Sequence, residues 1–269
     1  MLRFASAAGS HAGLVRANNE DAGFAGPYLQ LVADGVGGAA AGEVASATAA
    51  YVVSALAAVN ANSDPLRVLP SAVREAHRQL CVGQAQDPAR AGMATTLTAV
   101  LTDGSRFALA HIGDSRAFLW RAGRIEQLTT DHTLVQALID DGRLTSAQAA
   151  NHPHRSVVLK SIDGQTAPEP DLRLLELHSG DRLLLGSDGL SDLVPTSRII
   201  EHLSIVDRDR AVARLIEDAL QAGGRDNVTC LVADVEDGPA MCRDGKLLGA
   251  LGDPYLVVDP AAVRFQRPA

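Results

Sequence analysis

The chain has 269 residues, 46% of them hydrophobic, and a formal charge of −8, which excludes general disorder, collagen-like repeats and disulfide scaffolds and leaves one large or two small globular domains. The acidic excess repels phosphate backbones and anionic lipid surfaces, so neither nucleic acid nor a membrane is an expected partner. The three cysteines form no C-x-x-C pair, and no stretch is typical of a signal peptide or a membrane span. These features predict a cytoplasmic protein.

The first half of the chain predicts a strand followed by two helices. An apolar run at 28–33 is typical of a short strand, and the Ala-rich stretch at 40–59 has helical spacing. A second helix is predicted over 66–84, with Asp64 as its N-cap and Pro65 at its first helical position.

From residue 93 the pattern changes to β-rich runs separated by Asp-Gly and Gly-Asp-Ser turn residues. Three such runs between 93 and 123 predict an antiparallel meander. The resulting order of elements lacks the regular alternation of a parallel doubly wound fold and indicates an α+β protein. The remaining predicted elements are a polar helix-like stretch at 131–156, two strands on either side of Gly180-Asp181, helices at 196–203 and 207–222, and a last core strand at 227–235.

Four aspartates lie beside Gly or Asn at the ends of apolar runs. A single Asp-Gly pair is usually a turn, but LQLVADG, ALAHIGD and LLLGSDG each place the acid directly after a run expected to be buried. Carboxylate, carbonyl and water oxygens are the ligands that Mg²⁺ and Mn²⁺ prefer. The four candidates for a divalent metal site are Asp34, Asp114, Asp188 and Asp226.

A glycine-rich loop at 35–40 matches G-x-G-x-x-A between a strand and a helix, as in dinucleotide-binding proteins. That motif also needs an acid about 20 residues later, whereas no Asp or Glu stands between Glu43 and Asp64. This weakens the alternative of a dinucleotide-binding oxidoreductase.

Arg16 precedes the polar run Asn18-Asn19-Glu20-Asp21, and a fixed arginine offers two parallel N–H donors to a phosphate.

Taken together, these runs resemble the metal-dependent serine/threonine protein phosphatase family (type 2C, PPM), particularly its bacterial branch. The resemblance spans about residues 5 to 236 and does not cover 237–269. Eight short motifs in family order carry it: GLVRANNEDAG, LVADGVGGAAAGEVAS, GMATTLTAVL, AHIGDSRAFLW, LTTDHTLVQALIDDGRLT, HPHRSVVLKSIDG, DRLLLGSDGLSDLV and GGRDNVTCLVADV.

The resemblance implies a binuclear site for two Mn²⁺ or Mg²⁺ ions, with a third, weaker site. Asp34 would bridge the two ions, the carbonyl of Gly35 would assist one of them, and Asp188 and Asp226 would hold the other. The family pattern implies further roles for Glu20 and Asp21, which orient metal-bound water, for Arg16, which binds phosphate, and for Asp114, which helps to hold the third ion.

The family mechanism is direct hydrolysis, in which a hydroxide bridging the metals attacks phosphorus and no phosphoenzyme forms. Many eukaryotic members have a histidine after the Asp-Gly of the second motif, but this chain has Val36. We therefore expect a water near Asp114 to protonate the leaving oxygen, with His132 as the weaker alternative.

The implied fold is α+β, with two stacked antiparallel β-sheets flanked by helical pairs. Residues 1–236 would form the catalytic domain, with a flap at about 142–164. The C-terminal extension 237–269 either caps a sheet edge through YLVVD or lies unpacked, and the sequence favours neither. The expected function is dephosphorylation of phosphoserine and phosphothreonine in proteins, by a cytoplasmic monomer that reverses a partner Ser/Thr kinase. Two alternatives remain: a non-catalytic phosphoprotein-binding module and a metal-dependent hydrolase of small phosphate esters.

Overall fold

The computed structural model describes residues 1–36, 41–239 and 242–261. Its strands form two antiparallel sheets that pack face to face, and helices cover the outer faces. The strands are β1 Leu2–His11, β2 Asp21–Ala25, β3 Leu29–Val36, β4 Ala94–Thr95, β5 Leu97–Thr102, β6 Phe107–Ile112, β7 Arg116–Arg121, β8 Arg124–Gln127, β9 Asp171–Leu175, β10 Arg182–Gly186, β11 Val228–Asp237 and β12 Lys246–Gly249. The helices are α1 Gly42–Val59, α2 Pro65–Gln86, α3 Leu134–Asp140, α4 Ser146–Ala149, α5 Asp188–Ser191, α6 Thr196–Leu203 and α7 Arg208–Gln221.

One sheet has five strands in the order β1-β11-β10-β7-β8, and the other has the order β12-β2-β3-β5-β6-β9, with β4 paired to β3. The central strands are buried on both faces, because each sheet contacts the other sheet on one side and helices on the opposite side. This explains why they occur in the sequence as continuous apolar runs rather than as alternating patterns. The α+β architecture predicted from the sequence is confirmed.

The hydrophobic core has three layers. Between the sheets, Phe4 packs on Phe107 with their ring centroids 5.4 Å apart, and Leu185 and Leu231 are fully buried. A second layer joins the seven-stranded sheet to α1 and α2, and a third joins the five-stranded sheet to α5, α6 and α7.

Helix α1 is the one described helix whose length and composition would allow it to cross a membrane, but 67% of it is buried inside the fold. Its small alanine side chains, including Ala45, Ala49 and Ala57, are completely buried. They allow the helix to approach β3 and α2 closely. The apolar character of α1 is therefore accounted for by the core.

Helix α2 begins where the sequence predicts. The Asp64 carboxylate accepts a hydrogen bond from the Leu66 amide at 3.0 Å, and Pro65 is the first helical residue, a position where its missing N–H costs nothing. The predicted helices at 196–203 and 207–222 are also confirmed, as α6 and α7.

The predicted antiparallel meander is wrong in its last step. Strands β5 and β6 pair as expected, but β7 pairs with β10 and β8 in the other sheet. The Gly113-Asp114-Ser115 turn therefore carries the chain from one sheet to the other. The strands before and after Gly180 are separated in the same way, since β9 pairs with β6 and β10 with β11.

The sequence did not predict β1, β2, β8 and β12, and it predicted β4 and β5 as one run. Strand β1 contains Ala, Gly and Ser rather than β-branched residues, so its strand character comes from its ten-residue register with β11. Strands β2, β4, β8 and β12 have only two to five residues, too few to show a period.

Part of the C-terminal extension completes the larger sheet. Strand β12 pairs antiparallel with β2, and the Lys246 ammonium donates to the carbonyl of Ala8 in β1 at 2.7 Å. Neither of the two roles left open for YLVVD is observed, because Pro254–Leu256 is a 3₁₀ turn and Val257 packs in the α1 layer.

Two adjacent leucines test whether the extension is part of the folded core. Leu248 is 5% exposed and lies in the layer between the sheets, whereas Leu247 is 52% exposed. We expect Leu248→Ala to lower the free energy of unfolding by about 2–5 kcal/mol, as for other large-to-small core changes, and Leu247→Ala to change it by less than about 0.5 kcal/mol. Urea unfolding followed by circular dichroism measures both; equal values would contradict the role of β12.

Candidate metal centre

The predicted metal-binding aspartates all line one cavity of about 500 Å³. Asp34 is the sixth residue of β3, Asp114 lies in the turn between β6 and β7, and Asp188 begins α5 directly after β10. Asp226 lies two residues before β11. The cavity therefore lies where strand ends of both sheets meet. Its other lining residues are Arg16, Asn18, Glu20, Gly35, Val36, Ala41, Glu43, Ser156, Val158 and Asn227.

The backbone around Asp34 is held by two threonines. The Asp34 amide donates to the Thr96 hydroxyl at 3.0 Å, and its carbonyl accepts from the Thr95 hydroxyl at 2.9 Å and from the Thr96 amide at 2.9 Å. With both main-chain groups occupied, the position of the Asp34 carboxyl group is set by the sheet. Such rigidity is what a metal ligand needs.

Gly35 allows the loop before β2 and the start of α1 to approach the strand. A Cβ atom at this position would lie 2.4 Å from the Gly42 carbonyl and 2.9 Å from the Glu20 carbonyl, closer than any normal contact. The Gly35 amide donates to the same Glu20 carbonyl at 3.1 Å. Only glycine fits here, which explains the Asp-Gly pair that the sequence shows.

Asp188 is positioned by a buried hydroxyl. Ser187 donates through Oγ to Oδ2 of Asp21 at 2.7 Å and accepts from the Thr229 amide at 3.1 Å. A Cβ atom at Gly189 would lie 2.0 Å from the carbonyl of Asn227, so this turn too requires glycine. The Asp21–Ser187 hydrogen bond links β2 of one sheet to the end of β10 in the other.

Arg16 lies at the cavity and pairs with a metal-ligand candidate. Its Nη2 donates to Oδ2 of Asp226 at 2.7 Å, and its side chain remains 51% exposed. The side chain of Asn227 holds the loop that carries Arg16. Its Nδ2 donates to the carbonyls of Ala12 and Asn18, both at 2.9 Å, and its Oδ1 accepts from the backbone amide of Glu20 at 2.7 Å.

Burial and mutual repulsion raise the pKa of three aspartates in the cavity. Burial, followed by repulsion from Asp226, raises the pKa of Asp188 to about 6. Burial, followed by repulsion from Asp188, raises the pKa of Asp114 to about 7. The pKa of Asp34 lies well above its usual range, because of burial and the charges of Asp21 and Asp188. Bound cations would reverse this repulsion.

Asp21 is completely buried, and burial raises its pKa to about 7. Its Oδ2 accepts from Ser187, but its Oδ1 has no hydrogen-bond partner among the described residues. A buried carboxylate oxygen without a partner is costly unless water or a cation is nearby. This orphaned oxygen fits a hydrated metal centre.

Within 1–36, 41–239 and 242–261, no three His, Cys, Asp or Glu side chains are close enough to enclose an ion by themselves. The donor set nevertheless suits Mg²⁺ and Mn²⁺, because these ions keep several water ligands and need only one or two carboxylates each. The structure thus supplies carboxylate and carbonyl oxygens to a wet cavity, which fits a pair of hydrated divalent ions.

His132, the weaker proton-donor candidate, does not line this cavity. Its Nδ1 accepts from the Gly113 amide at 3.1 Å, and its Nε2 lies 3.2 Å from Oδ2 of Asp171. Burial lowers its pKa. The structure brings the other predicted residues together around the cavity, and places His132 behind the turn that carries Asp114.

A family model for protein phosphatase 2C matches residues 15–234 of the chain. The chain belongs to the protein phosphatase 2C family. It is 48% identical over 240 residues to serine/threonine protein phosphatase PstP of Mycobacterium tuberculosis, an alignment that covers 88% of this chain and 46% of PstP, so it spans about half the length of that relative. It is 35% identical over 243 residues to protein phosphatase PhpP of Streptococcus pneumoniae, covering 85% of this chain and 96% of PhpP.

Solved structures agree with this protein phosphatase 2C assignment. The Mycobacterium tuberculosis phosphatase PstP/Ppp has a TM-score of 0.82 at 47% identity, covering 87% of this chain and all of that one. The catalytic domain of PstP in complex with two manganese ions has a TM-score of 0.80 at 45% identity, with coverage of 88% and 100%. The family and fold predicted from the sequence motifs are confirmed.

Sequence reasoning about this phosphatase 2C family member missed four residues that shape the site. Asn227 holds the Arg16 loop, Ser187 joins the two sheets, Thr96 fixes Asp34, and Glu43 lines the cavity, where it accepts from the side-chain amide of Asn18 at 3.3 Å. Asn227 and Ser187 directly adjoin predicted ligands, a signal that could have found them.

The raised pKa values predict how stability responds to pH and to metal. A carboxyl group whose pKa is higher in the folded than in the unfolded protein costs folding free energy as pH rises between the two values, here from 3.8 to about 7. The contribution of these carboxyl groups to the free energy of unfolding of the chelated protein should therefore fall over this range, by about 1.4 kcal/mol for each unit of pKa difference.

Mn²⁺ should offset this loss, so the increase in Tm on adding Mn²⁺ should be larger at pH 8 than at pH 5. Differential scanning fluorimetry with EDTA or MnCl₂ at the two pH values measures it. Asp188→Asn, which removes one of the charges, should reduce the difference between the two pH values. An increase that is the same at pH 5 and pH 8 would contradict the prediction.

Proposed function

We propose that this protein phosphatase 2C family member hydrolyses phosphoserine and phosphothreonine in proteins, using two Mn²⁺ or Mg²⁺ ions and no phosphoenzyme. One observation carries the proposal: Asp34, Asp188 and Asp226, from both sheets, meet the guanidinium of Arg16 in a single cavity. The relatives PstP and PhpP are named as a serine/threonine protein phosphatase and a protein phosphatase, which supports the same class of substrate.

The carboxylates divide between two ions in this proposal. Asp34 would bridge them, the carbonyl of Gly35 would assist one ion, and Asp188 and Asp226 would hold the other. The positions of the three aspartates around one cavity support these roles, and so do the raised pKa values of Asp34 and Asp188. When bound, the ions supply hydroxide at neutral pH and neutralise charge on the phosphoryl oxygens.

Two neighbouring residues complete the proposed metal site. Glu20 lines the cavity, and Asp21 lies fully buried beside it with one carboxylate oxygen that has no partner among the described residues. From these positions both can orient coordinated water. A third, weaker ion would lie at Asp114. Asp114 lines the same cavity as the other ligand candidates, which supports this assignment.

Arg16 would bind the phosphoryl group of the substrate. Its exposed guanidinium borders the cavity, and the hydrogen bond to Asp226 orients it. An arginine held in this way presents parallel N–H donors to two phosphoryl oxygens, which a lysine cannot do. Arg16 therefore positions phosphorus and offsets charge that develops on its oxygens.

The leaving serine or threonine oxygen needs a proton, and Val36 cannot supply one. We assign the donor to a water molecule held at Asp114, the acidic residue of the cavity that lies on the crossover turn between the sheets. His132 lies outside the lining of the cavity, which leaves it poorly placed to reach the substrate directly.

The flap expected at 142–164 contributes Ser156 and Val158 to the cavity. We propose that this segment contacts the phosphoprotein beside the phosphorylated residue. The catalytic domain would comprise residues 1–236, and the pairing of β12 with β2 supports a stabilising role for the extension 237–269. A cytoplasmic monomer acting against a partner Ser/Thr kinase completes the proposal.

The first test is phosphate release from a phosphothreonine peptide with and without MnCl₂. We expect activity only with the metal, and a loss of at least about 100-fold in Asp188→Ala, because the metal centre contributes several kcal/mol to the transition state. Asp209→Ala, which removes an exposed aspartate of α7, is the matched control and should leave the rate unchanged.

Two outcomes would contradict the proposed activity. Binding of Mn²⁺ without turnover would favour a phosphoprotein-binding module. Faster hydrolysis of sugar phosphates than of the phosphopeptide would favour a hydrolase of small phosphate esters.

The proposed proton donor predicts a dependence on the leaving group. Asp114→Ala should slow hydrolysis of the phosphothreonine peptide far more than that of p-nitrophenyl phosphate, because an aryl oxide leaves without a proton. The ratio of kcat/KM for the two substrates measures this. Equal losses on both substrates would place Asp114 in phosphate or metal binding rather than in proton transfer.

A further inference from the structure

The turn that carries Asp114 is held by a histidine that the proposed mechanism does not use. Gly113, just before Asp114, has both of its main-chain polar groups bonded to His132: its amide donates to Nδ1 at 3.1 Å, and its carbonyl accepts from the His132 amide at 2.7 Å. His132 therefore bonds to both peptide groups that flank the Cα atom of Gly113.

The turn itself is sterically demanding. Gly113 has φ 107°, a left-handed conformation that favours glycine, and a Cβ atom there would lie 2.5 Å from the side chain of Thr96. The turn must also carry the chain from β6 in one sheet to β7 in the other. Its geometry is thus set by contacts around it, and His132 supplies two of them.

The ring of His132 is fixed in a single orientation. It stacks on His111 with centroids 4.9 Å apart and an interplanar angle of 28°, and its Nε2 lies 3.2 Å from Oδ2 of Asp171. Because Nδ1 accepts from the Gly113 amide, the ring hydrogen must be on Nε2, facing Asp171. Burial lowers the pKa of His132, which favours this neutral form.

The same segment also holds the flap. The His132 carbonyl accepts from the Leu159 amide at 2.7 Å, and Thr133 forms a β-bridge with Val158, a residue that lines the cavity. Residues 131–133 therefore lie between the Asp114 turn on one side and the returning strand of the flap on the other.

We propose that His132 is a positioning residue: its Nδ1 accepts from the Gly113 amide and fixes the turn that presents Asp114 to the cavity, while its carbonyl anchors the flap to the same point. The catalytic consequence rests on the proposed phosphatase function; the hydrogen bond does not. In this role His132 acts through Asp114 and never transfers a proton to the substrate.

Two homologous amides, asparagine and glutamine, distinguish positioning from proton transfer. The Oδ1 of asparagine is attached to Cγ, as Nδ1 of histidine is, so His132→Asn keeps an acceptor at the required distance from the backbone. The Oε1 of glutamine is one bond farther away, like Nε2, so His132→Gln is the matched control. Neither variant can act as a proton donor with the pKa of an imidazole, and both lose the stacking on His111.

We expect His132→Asn to retain kcat close to that of the native protein on the phosphothreonine peptide. His132→Gln and His132→Ala should lose about tenfold or more, because the Gly113 amide loses its acceptor. If His132→Asn is as impaired as His132→Ala, or if all three variants are fully active, the proposal is overturned.

Two measurements do not depend on activity. Hydrogen exchange of the Gly113 amide should be faster in the Gln and Ala variants than in the native and Asn proteins. Nitrogen NMR of the native protein should show His132 Nδ1 without a hydrogen. Unchanged exchange in every variant, or a protonated Nδ1, would overturn the hydrogen bond itself. A native protein that lacks phosphatase activity but shows both signatures would instead refute only the proposed function.

Discussion

Repulsion among the carboxylates at one end of the two sheets is the constraint to which the rest of the structure is adapted. Asp21, Asp34, Asp114 and Asp188 have pKa values well above those of free aspartate, because each is buried and near another negative charge. Holding these charges close together lowers the free energy of unfolding. In return, carboxylates that repel one another without cations favour the binding of divalent ions. Bound cations would reverse the local negative charge and allow an acidic protein to attract a phosphate.

Holding the cluster requires the two sheets to keep a fixed relation. The metal-ligand candidates come from both sheets, and the Asp21–Ser187 hydrogen bond joins the sheets directly beneath the cavity. The apolar layer between the sheets and strand β12 of the extension stabilise the same arrangement. Gly35, Gly113 and Gly189 have no Cβ atom, which at these positions would clash with neighbouring residues. The positions of the carboxylates in the cavity therefore depend on the packing of the two sheets.

Much of the site was accessible from the sequence. An acid placed directly after a buried apolar run, with Gly or Asn beside it, marks a rigid strand end, and the ordered motifs indicated the protein phosphatase 2C family, which the family model and the solved relatives confirm. The strands with strong apolar runs and the helices of eight or more residues were also predicted. Strand β1 was not, because its Ala, Gly and Ser residues acquire strand geometry only through pairing with β11.

Sequence by itself determined the chemistry available to this protein: the aspartates, Arg16 and the glycines that make their turns possible. Tertiary structure alone decided which residues meet. The Gly113-Asp114-Ser115 turn resembles a hairpin in sequence but crosses between the sheets, and His132, a plausible proton donor by residue type, lies behind that turn. The physical reason is range: turn and capping preferences act over a few neighbouring residues, whereas sheet membership and side-chain orientation depend on packing between segments far apart in the chain.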